Sequence, residues 1–265
     1  MASLAIFGVG VIGEMLLSAL LKGGIPPGDI VVTEKRADNA ARITATHGVT
    51  VVDNSVAAQG ADLLLIVVKP QDVFGLLDEI GSSIRPGSTV ISLAAGITTA
   101  SIEAVVPEGV AVIRVMPNTP ALVGEGMYGV SVGSAVSDAQ LEAALSLLRS
   151  SGKVLVIPEA DQNALTAVSG SGPAYIFLVA EAMIAAGVAA GLSAETAHDL
   201  TVQTVVGSAK LLAASDVGPE ILRQRVTSPQ GTTAEAIAVL EARGLRKAFE
   251  DAIAAAVARA AELSA

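Results

Sequence analysis

Cysteine and tryptophan are absent from this 265-residue chain, and histidine occurs only twice. No cysteine means no disulfide, no thiolate nucleophile and no zinc–thiolate centre, and it suits a reducing compartment such as the cytoplasm. The two histidines, His47 and His198, fall in helical stretches with neither a partner acid nor a second histidine at ligand spacing, so they read as surface or packing residues and no metal is expected. Aromatic residues make up 2% of the chain, leaving alanine and valine to build a core of closely approaching helices. Basic residues are scarce too: 16 Lys and Arg face 26 Asp and Glu, a formal charge of −10 and a pI near 4.6. Nucleic-acid binding runs on cations that neutralise phosphates, so this balance argues against it and against anionic membrane surfaces. An acidic coat for solubility is the simpler reading. The opening "MASLAIFGVG" has no basic segment ahead of its apolar run and does not read as a signal peptide. The most membrane-like stretch, residues 174–191, carries Glu181 in its middle and falls short of the ~20 apolar residues of a span. It reads as a buried helix.

What the chain has in quantity is apolar surface, 52% of residues with a mean hydropathy of +0.63, enough for two folded domains. Residues 1–158 alternate. The runs "SLAIFG", "DIVVTE", "VTVVD", "ADLLLIVVK" and "STVISLAAG" are continuously apolar rather than alternating, as strands buried on both faces are. Helical patterns at 13–23, 37–47 and 71–81 separate them, giving a βαβ series and a doubly wound, Rossmann-type sheet. "VAVIRVMP", "GMYGVSVG" and "KVLVIPE", with one helix near 138–150, extend the same sheet. From 161 to 265 strand signals stop, and helical patterns cover 162–168, 173–190, 194–214, 219–226, 232–243 and 246–263. The expected fold is therefore α/β, a dinucleotide-binding domain at 1–158 followed by an all-α domain at 161–265. Residues 174–191 are apolar nearly all round, and so few neighbouring helices cannot cover them. A second copy of the chain is expected to complete that core.

Gly8-Val9-Gly10-Val11-Ile12-Gly13 is a G-x-G-x-x-G element between an apparent strand and a helix. The first glycine permits the turn, the second lets the backbone approach a pyrophosphate, and the third packs helix on strand; the phosphates then meet the free amides of a helix N-terminus. Glu34, Lys35 and Arg36 end the second strand. An acid there suits the ribose 2′-hydroxyl of NAD, a base the 2′-phosphate of NADP, and this chain has both. Val67-Val68-Lys69-Pro70 and Leu93-Ala94-Ala95-Gly96 end two further strands, where the ligand crevice of such sheets lies. Met116-Pro117-Asn118-Thr119-Pro120 reads either as a turn or as a loop whose Asn118 bonds a ligand. Ser169-Gly170-Ser171-Gly172-Pro173 reads as a helix start with Pro at its first position, open to an anion. In "RVTSPQGTT", Thr232 and Glu235 fit a capping box, and the same helix end offers a seat for a carboxylate.

These motifs, in this order, resemble the pyrroline-5-carboxylate reductase family. "AVSGSGPAYIF" and "VTSPQGTT" are the specific elements, supported by "VVKP", "AAG" and "MPNTP", and the resemblance runs the whole length. It implies a Rossmann domain followed by a helical domain through which dimers interlock, often assembling into decamers, and reduction of the cyclic imine to L-proline by NADPH or NADH. It implies the pyrophosphate on Gly8, Val9, Gly10, Val11, Ile12 and Gly13, and Lys35 and Arg36 near the adenosine 2′ position. Those two bases favour NADPH, with NADH the alternative. Asn54 falls on the adenosine side. Val67, Val68, Lys69 and Pro70, with Leu93, Ala94 and Ala95, run toward the nicotinamide. Ser228, Gly231 and Thr232 hold the substrate carboxylate, and Thr233 hydrogen-bonds the ring nitrogen as the catalytic hydroxyl. The family reads T-S-P-G-G-T-T where this chain has Gln230; if that glycine needs a positive φ, Gln230 carries strain. Two other readings stay open. A β-hydroxyacid dehydrogenase resembles the chain at "SGSG" but places a lysine where Ile176 stands, and a non-catalytic nucleotide-binding dimer would need only the glycine motif.

Overall fold

In the computed structural model, which describes residues 3–263, the chain forms two compact units. One holds the residues up to Ser171 together with those from Ala256 on, the other Gly172–Ala255. The first unit is built on β1 (Leu4–Phe7), α1 (Val11–Lys22), β2 (Ile30–Thr33), α2 (Ala37–His47), β3 (Thr50–Val51), α3 (Asn54–Gly60), β4 (Leu63–Ile66), α4 (Val73–Ile80), β5 (Thr89–Ser92), α5 (Thr99–Glu103), β6 (Ala111–Met116), β7 (Gly126–Val132), α6 (Asp138–Arg149) and β8 (Gly152–Val156). All eight expected strands form. They lie in one sheet in the order β3-β2-β1-β4-β5-β6-β7-β8, parallel except for β6 against β7, where Ile113 faces Val132. The first six strands follow the dinucleotide-binding order, which brings their carboxyl ends to a common edge.

The continuous apolar runs have the expected cause. In β1, Leu4 and Ile6 enter one core with Leu16 and Leu20 of α1. Ala5 and Phe7 enter the other with Ala57 of α3 and Leu77 of α4. Helices therefore cover both faces, and each fully buried leucine of this kind contributes roughly 1.5–3 kcal/mol. α6 carries β7 over to β8. Its start is a true capping box, in which Ser137 Oγ accepts from Gln140 N while Gln140 Oε1 accepts from Ser137 N.

After β8 there is only helix: α7 (Gln162–Leu165), α8 (Gly172–Ala189), α9 (Ala194–Ala214), α10 (Pro219–Arg225), α11 (Thr232–Ala242) and α12 (Leu245–Glu262). Between α7 and α8, residues Thr166–Gly170 form a π-helical turn in which Ser171 N donates to Thr166 O at 2.8 Å. α8 follows after a bend at Ser171, and the stretch from Glu159 to Ala189 contains an 18-residue window with a mean hydropathy of 1.6. The long helix expected to open within Ser169–Pro173 does so at Gly172, with Pro173 its second residue.

The second unit lacks a core of its own. Of Gly172–Ala255 only Ala197 and Thr201 are buried, while Ile176, Phe177 and Leu178 of α8 stand exposed. The burial expected for 174–191 is not supplied by its own chain. Tyr175 and Phe249 meet edge to face with ring centres 6.5 Å apart, joining α8 to α12.

Candidate active site

The glycine loop shows why each glycine is needed. Gly8 has φ +93°, and a Cβ there would lie 3.0 Å from Val68 Cγ1 and 3.3 Å from Val67 O. A Cβ on Gly13 would stand 2.0 Å from Gly8 O, so no side chain fits between helix and turn. A Cβ on Gly10 would meet nothing within 4 Å; it would instead fill the cleft that Gly10 lines. Gly10 is the N-cap of α1 with no side-chain cap, and the first helical bond is Glu14 N to Gly10 O at 2.8 Å. The amides of Val11, Ile12 and Gly13 precede that bond and are available to an anion.

In front of this loop lies a cleft of about 490 Å³ at the carboxyl ends of β1, β4, β5 and β6, lined by Gly10–Ile12, Val67–Pro70, Leu93–Ala95, Met116–Thr119, Met15 and Gly170. The structure thus brings together three of the stretches expected to hold the cofactor. Val11 stands 86% exposed at its mouth, an apolar residue with nothing to cover it. Lys69 is the one charged residue of the lining, and no carboxylate faces the cleft although the chain is strongly acidic. An open apolar slot, free helix amides and a lone cation fit a pyrophosphate-bearing dinucleotide. Gly8 and Gly13 support the loop from behind. Val9 turns its side chain into the core, where it is 1% exposed.

Lys35, Arg36 and Asn54 lie along the same sheet edge, outside the cleft lining. Lys35 and Arg36 follow β2 and are exposed. Asn54 opens α3 and donates to Glu79 Oε1 at 2.9 Å. The residue that sequence reasoning undervalued here is Glu34. Its Oε1 accepts from Arg36 N at 2.9 Å, and its Oε2 is bonded by Asn39 Nδ2. Burial raises its carboxyl pKa, but the bonds from Arg36 N and Asn39, with the Arg36 charge, outweigh that and hold it below the ordinary value. Asn118 is committed internally: Met127 N donates to its Oδ1 at 2.9 Å, and its Nδ2 donates to Ser169 O at 3.2 Å. It therefore pins the loop after β6 to β7 and to the π turn.

Ser228, Gly231, Thr232 and Thr233 lie together at the start of α11 in the helical unit. The expected capping box does not form. Gly231, not Thr232, is the N-cap, with no side-chain bond to it, and Thr232 is the first helical residue. The chain turns through Gln230 at φ +61°, the one positive φ outside glycine among the described residues. With Gly231 at the cap, both threonine hydroxyls stand clear of the box. Gly231 N bonds Ser228 O at 3.0 Å, and a Cβ on Gly231 would lie 2.5 Å from Ser228 Oγ. The first bond into the helix is Glu235 N to Gly231 O, so this N-terminus also keeps amides free for an anion.

A glycine loop of this geometry, on a sheet of this strand order, marks a dinucleotide-binding oxidoreductase. The pyrroline-5-carboxylate reductase of Corynebacterium melassecola is 42% identical over 267 residues, covering 99% of this chain and 99% of that protein. The chain belongs to the pyrroline-5-carboxylate reductase family. A sequence profile described as pyrroline-5-carboxylate reductase dimerisation matches residues 159–263. Another, described as NADP oxidoreductase coenzyme F420-dependent, matches residues 3–96. The structure of a pyrroline-5-carboxylate reductase from Coxiella burnetii matches with a TM-score of 0.90 at 38% identity, over 100% of this chain and 99% of that one. The Plasmodium falciparum pyrroline carboxylate reductase, solved with NADP bound, matches with a TM-score of 0.90 at 27% identity, over 100% and 98%. The dimerisation match coincides with the helices that leave their apolar surface bare, and the chain carries an oligomerising segment.

Proposed function

We propose that this enzyme reduces pyrroline-5-carboxylate to L-proline, the final step of proline biosynthesis, with a nicotinamide dinucleotide as reductant. The observation that carries this is full-length likeness: 42% identity to a curated reductase over nearly all of both chains. A reduced nicotinamide, when bound, supplies the hydride. The amides of Val11, Ile12 and Gly13 hold the pyrophosphate, with Lys69 as counter-charge. Val67, Val68 and Pro70 with Leu93, Ala94 and Ala95 form the apolar walls that keep the ring oriented and water out. Lys35, Arg36 and Asn54 attend the adenosine. Ser228, Gly231 and Thr232 anchor the substrate carboxylate at the start of α11, where the Thr232 amide is free. The Thr233 hydroxyl hydrogen-bonds the ring nitrogen and orients it. The imine enters protonated, so hydride adding to its carbon sends the C=N electron pair to nitrogen and leaves a neutral amine; no strong acid is needed, and a hydroxyl is enough for the chemistry the cysteine-free, histidine-poor chain can offer. The helical unit pairs with a second copy, dimers assemble into a decamer, and the enzyme works in the cytoplasm.

The test is loss of nicotinamide absorbance with pyrroline-5-carboxylate, using NADPH and NADH in turn. Turnover is expected, and Thr233→Ala is expected to lower kcat/KM by about 10- to 100-fold, the worth of one oriented hydrogen bond to a charged group. A folded, oligomeric protein that turns over neither coenzyme is no such reductase, and full activity in Thr233→Ala removes that residue from the mechanism.

A further inference from the structure

A single chain of hydrogen bonds ties the end of β2 to the glycine loop and to the start of α1, and Asn39 is its centre. Asn39, in the first turn of α2, is 6% exposed. Its Nδ2 donates both to Glu34 Oε2 and, at 3.2 Å, to the carbonyl of Val9 inside the glycine loop. Its Oδ1 accepts from Arg42 Nη2 at 2.7 Å and Nε at 3.1 Å. Arg42 in turn forks onto Glu14 in the first turn of α1, at 2.7 and 2.6 Å. The amide can sit only this way round, because two acceptors face its nitrogen and two donors face its oxygen.

The consequence falls on Glu34. Its side chain is 12% exposed and is fixed by the Arg36 amide and by Asn39, so no ordering is required when a ligand arrives. With the Lys35 and Arg36 amides and Asn39 bonded to it, the carboxylate still keeps a lone pair free to accept a hydroxyl proton. The competing cations are poorly placed. Arg36 is 69% exposed, with its Nε 4.0 Å from Glu34 itself, and Lys35 extends into solvent. Exposed, mobile cations of this kind contribute little. A ribose 2′-hydroxyl donates to a fixed carboxylate, whereas a 2′-phosphate meets like charge there.

We infer that Glu34, positioned by Asn39, selects the coenzyme at this site and turns it toward NADH, against the leaning that Lys35 and Arg36 alone suggest. This rests on the reading of the Gly8–Gly13 cleft as a nicotinamide-dinucleotide site. Asn39 is a positioning residue. It touches no coenzyme atom in this account and acts through the place of Glu34.

The experiment is calorimetric binding of NADH and of NADPH to the full-length oligomer, comparing wild type with Glu34→Gln and Asn39→Ala. NADH is expected to bind about 10-fold or more tightly than NADPH in the wild type, a difference of about 1.4 kcal/mol. Glu34→Gln should abolish or reverse that ratio. Asn39→Ala should shift the ratio the same way with Glu34 intact, whereas simple damage to the loop would weaken both coenzymes equally. Wild type favouring NADPH, or a ratio unmoved by Glu34→Gln, overturns the inference. Equal weakening in Asn39→Ala overturns the positioning role. If folded wild type binds neither coenzyme, the dinucleotide reading itself is lost. Glu34→Gln keeps the question decidable should Asn39→Ala fail to fold.

Discussion

α1 and α11 both begin at a glycine N-cap, Gly10 and Gly231, and neither first turn is closed by a side chain. Both therefore present free amides, yet they are prepared differently. Ahead of α1 the chain turns at Gly8, φ +93°, where no side chain is strained; ahead of α11 it turns at Gln230, φ +61°. A Cβ on Gly13 would strike the backbone oxygen of Gly8 at 2.0 Å, but one on Gly231 would first meet the hydroxyl of Ser228, which can rotate away. Glu14 near the start of α1 is clamped by Arg42 and His47. Glu235, in the first turn of α11, has no side-chain bond among those described. One anion seat is locked by backbone packing and a salt-bridge clamp. The other is held by adjustable side chains and carries conformational strain. The lesson is that one device, the open helix end, can be made rigid or compliant by what stands just before it.

The comparison is most easily broken at the glycines. Gly13→Ala must push the loop by about 1 Å, which should cost on the order of 100-fold in kcat/KM. Gly231→Ala should cost only about 10-fold, the worth of one displaced hydrogen bond. Steady-state kinetics on both variants checks this, and a larger loss in Gly231→Ala would invert the contrast. A smaller effect is expected at Glu14, whose pKa falls from 4.5 to about 2. The hydrogen bond from Arg42 lowers it most; burial opposes that, and the bond and charge of His47 add to the lowering. Because the folded-state pKa is depressed, this stabilisation is fully present above pH 4.5 and is lost as pH falls toward 2. Glu14→Gln should cost on the order of 1 kcal/mol at neutral pH, discounted because Arg42 is half exposed, and the gap to wild type should close through that acid window in urea titrations. The smallest effect belongs to Gln230→Gly. Relief of a left-handed Gln, about 1–2 kcal/mol, less the greater unfolded-chain entropy of glycine, should leave a net stabilisation of about 0.5–1 kcal/mol. A destabilised Gln230→Gly would mean that the side chain makes up for its backbone.

Much of the sheet was legible because strands buried on both faces leave unbroken apolar runs, and all eight were visible. α3 and α5 were not, being short segments of 7 and 5 residues with too few turns to show a period. The glycine loop was legible because its three glycines answer three separate steric demands. The capping box shows the limit. Ser137 to Gln140 forms one and Thr232 to Glu235 does not, although both match the pattern, because the second helix starts one residue earlier, with Gly231 at its cap. The π turn at Thr166–Gly170 left no signal, because one wider turn of five residues is too short to change the periodic pattern. The Glu34–Asn39–Arg42–Glu14 chain left no sequence signal at all, since Arg42 and Glu14 are 28 residues apart and meet only through the packing of α2 on the loop.

α8 turns Ile176, Phe177 and Leu178 outward and buries none of its own residues within one chain. The free energy that keeps this helix dry must come from another molecule, so it enters with a concentration attached. For the helical half, stability is a property of the population rather than of the chain. Dilution acts on it as a denaturant does, while the sheet half, which has two buried cores of its own, should depend on it less.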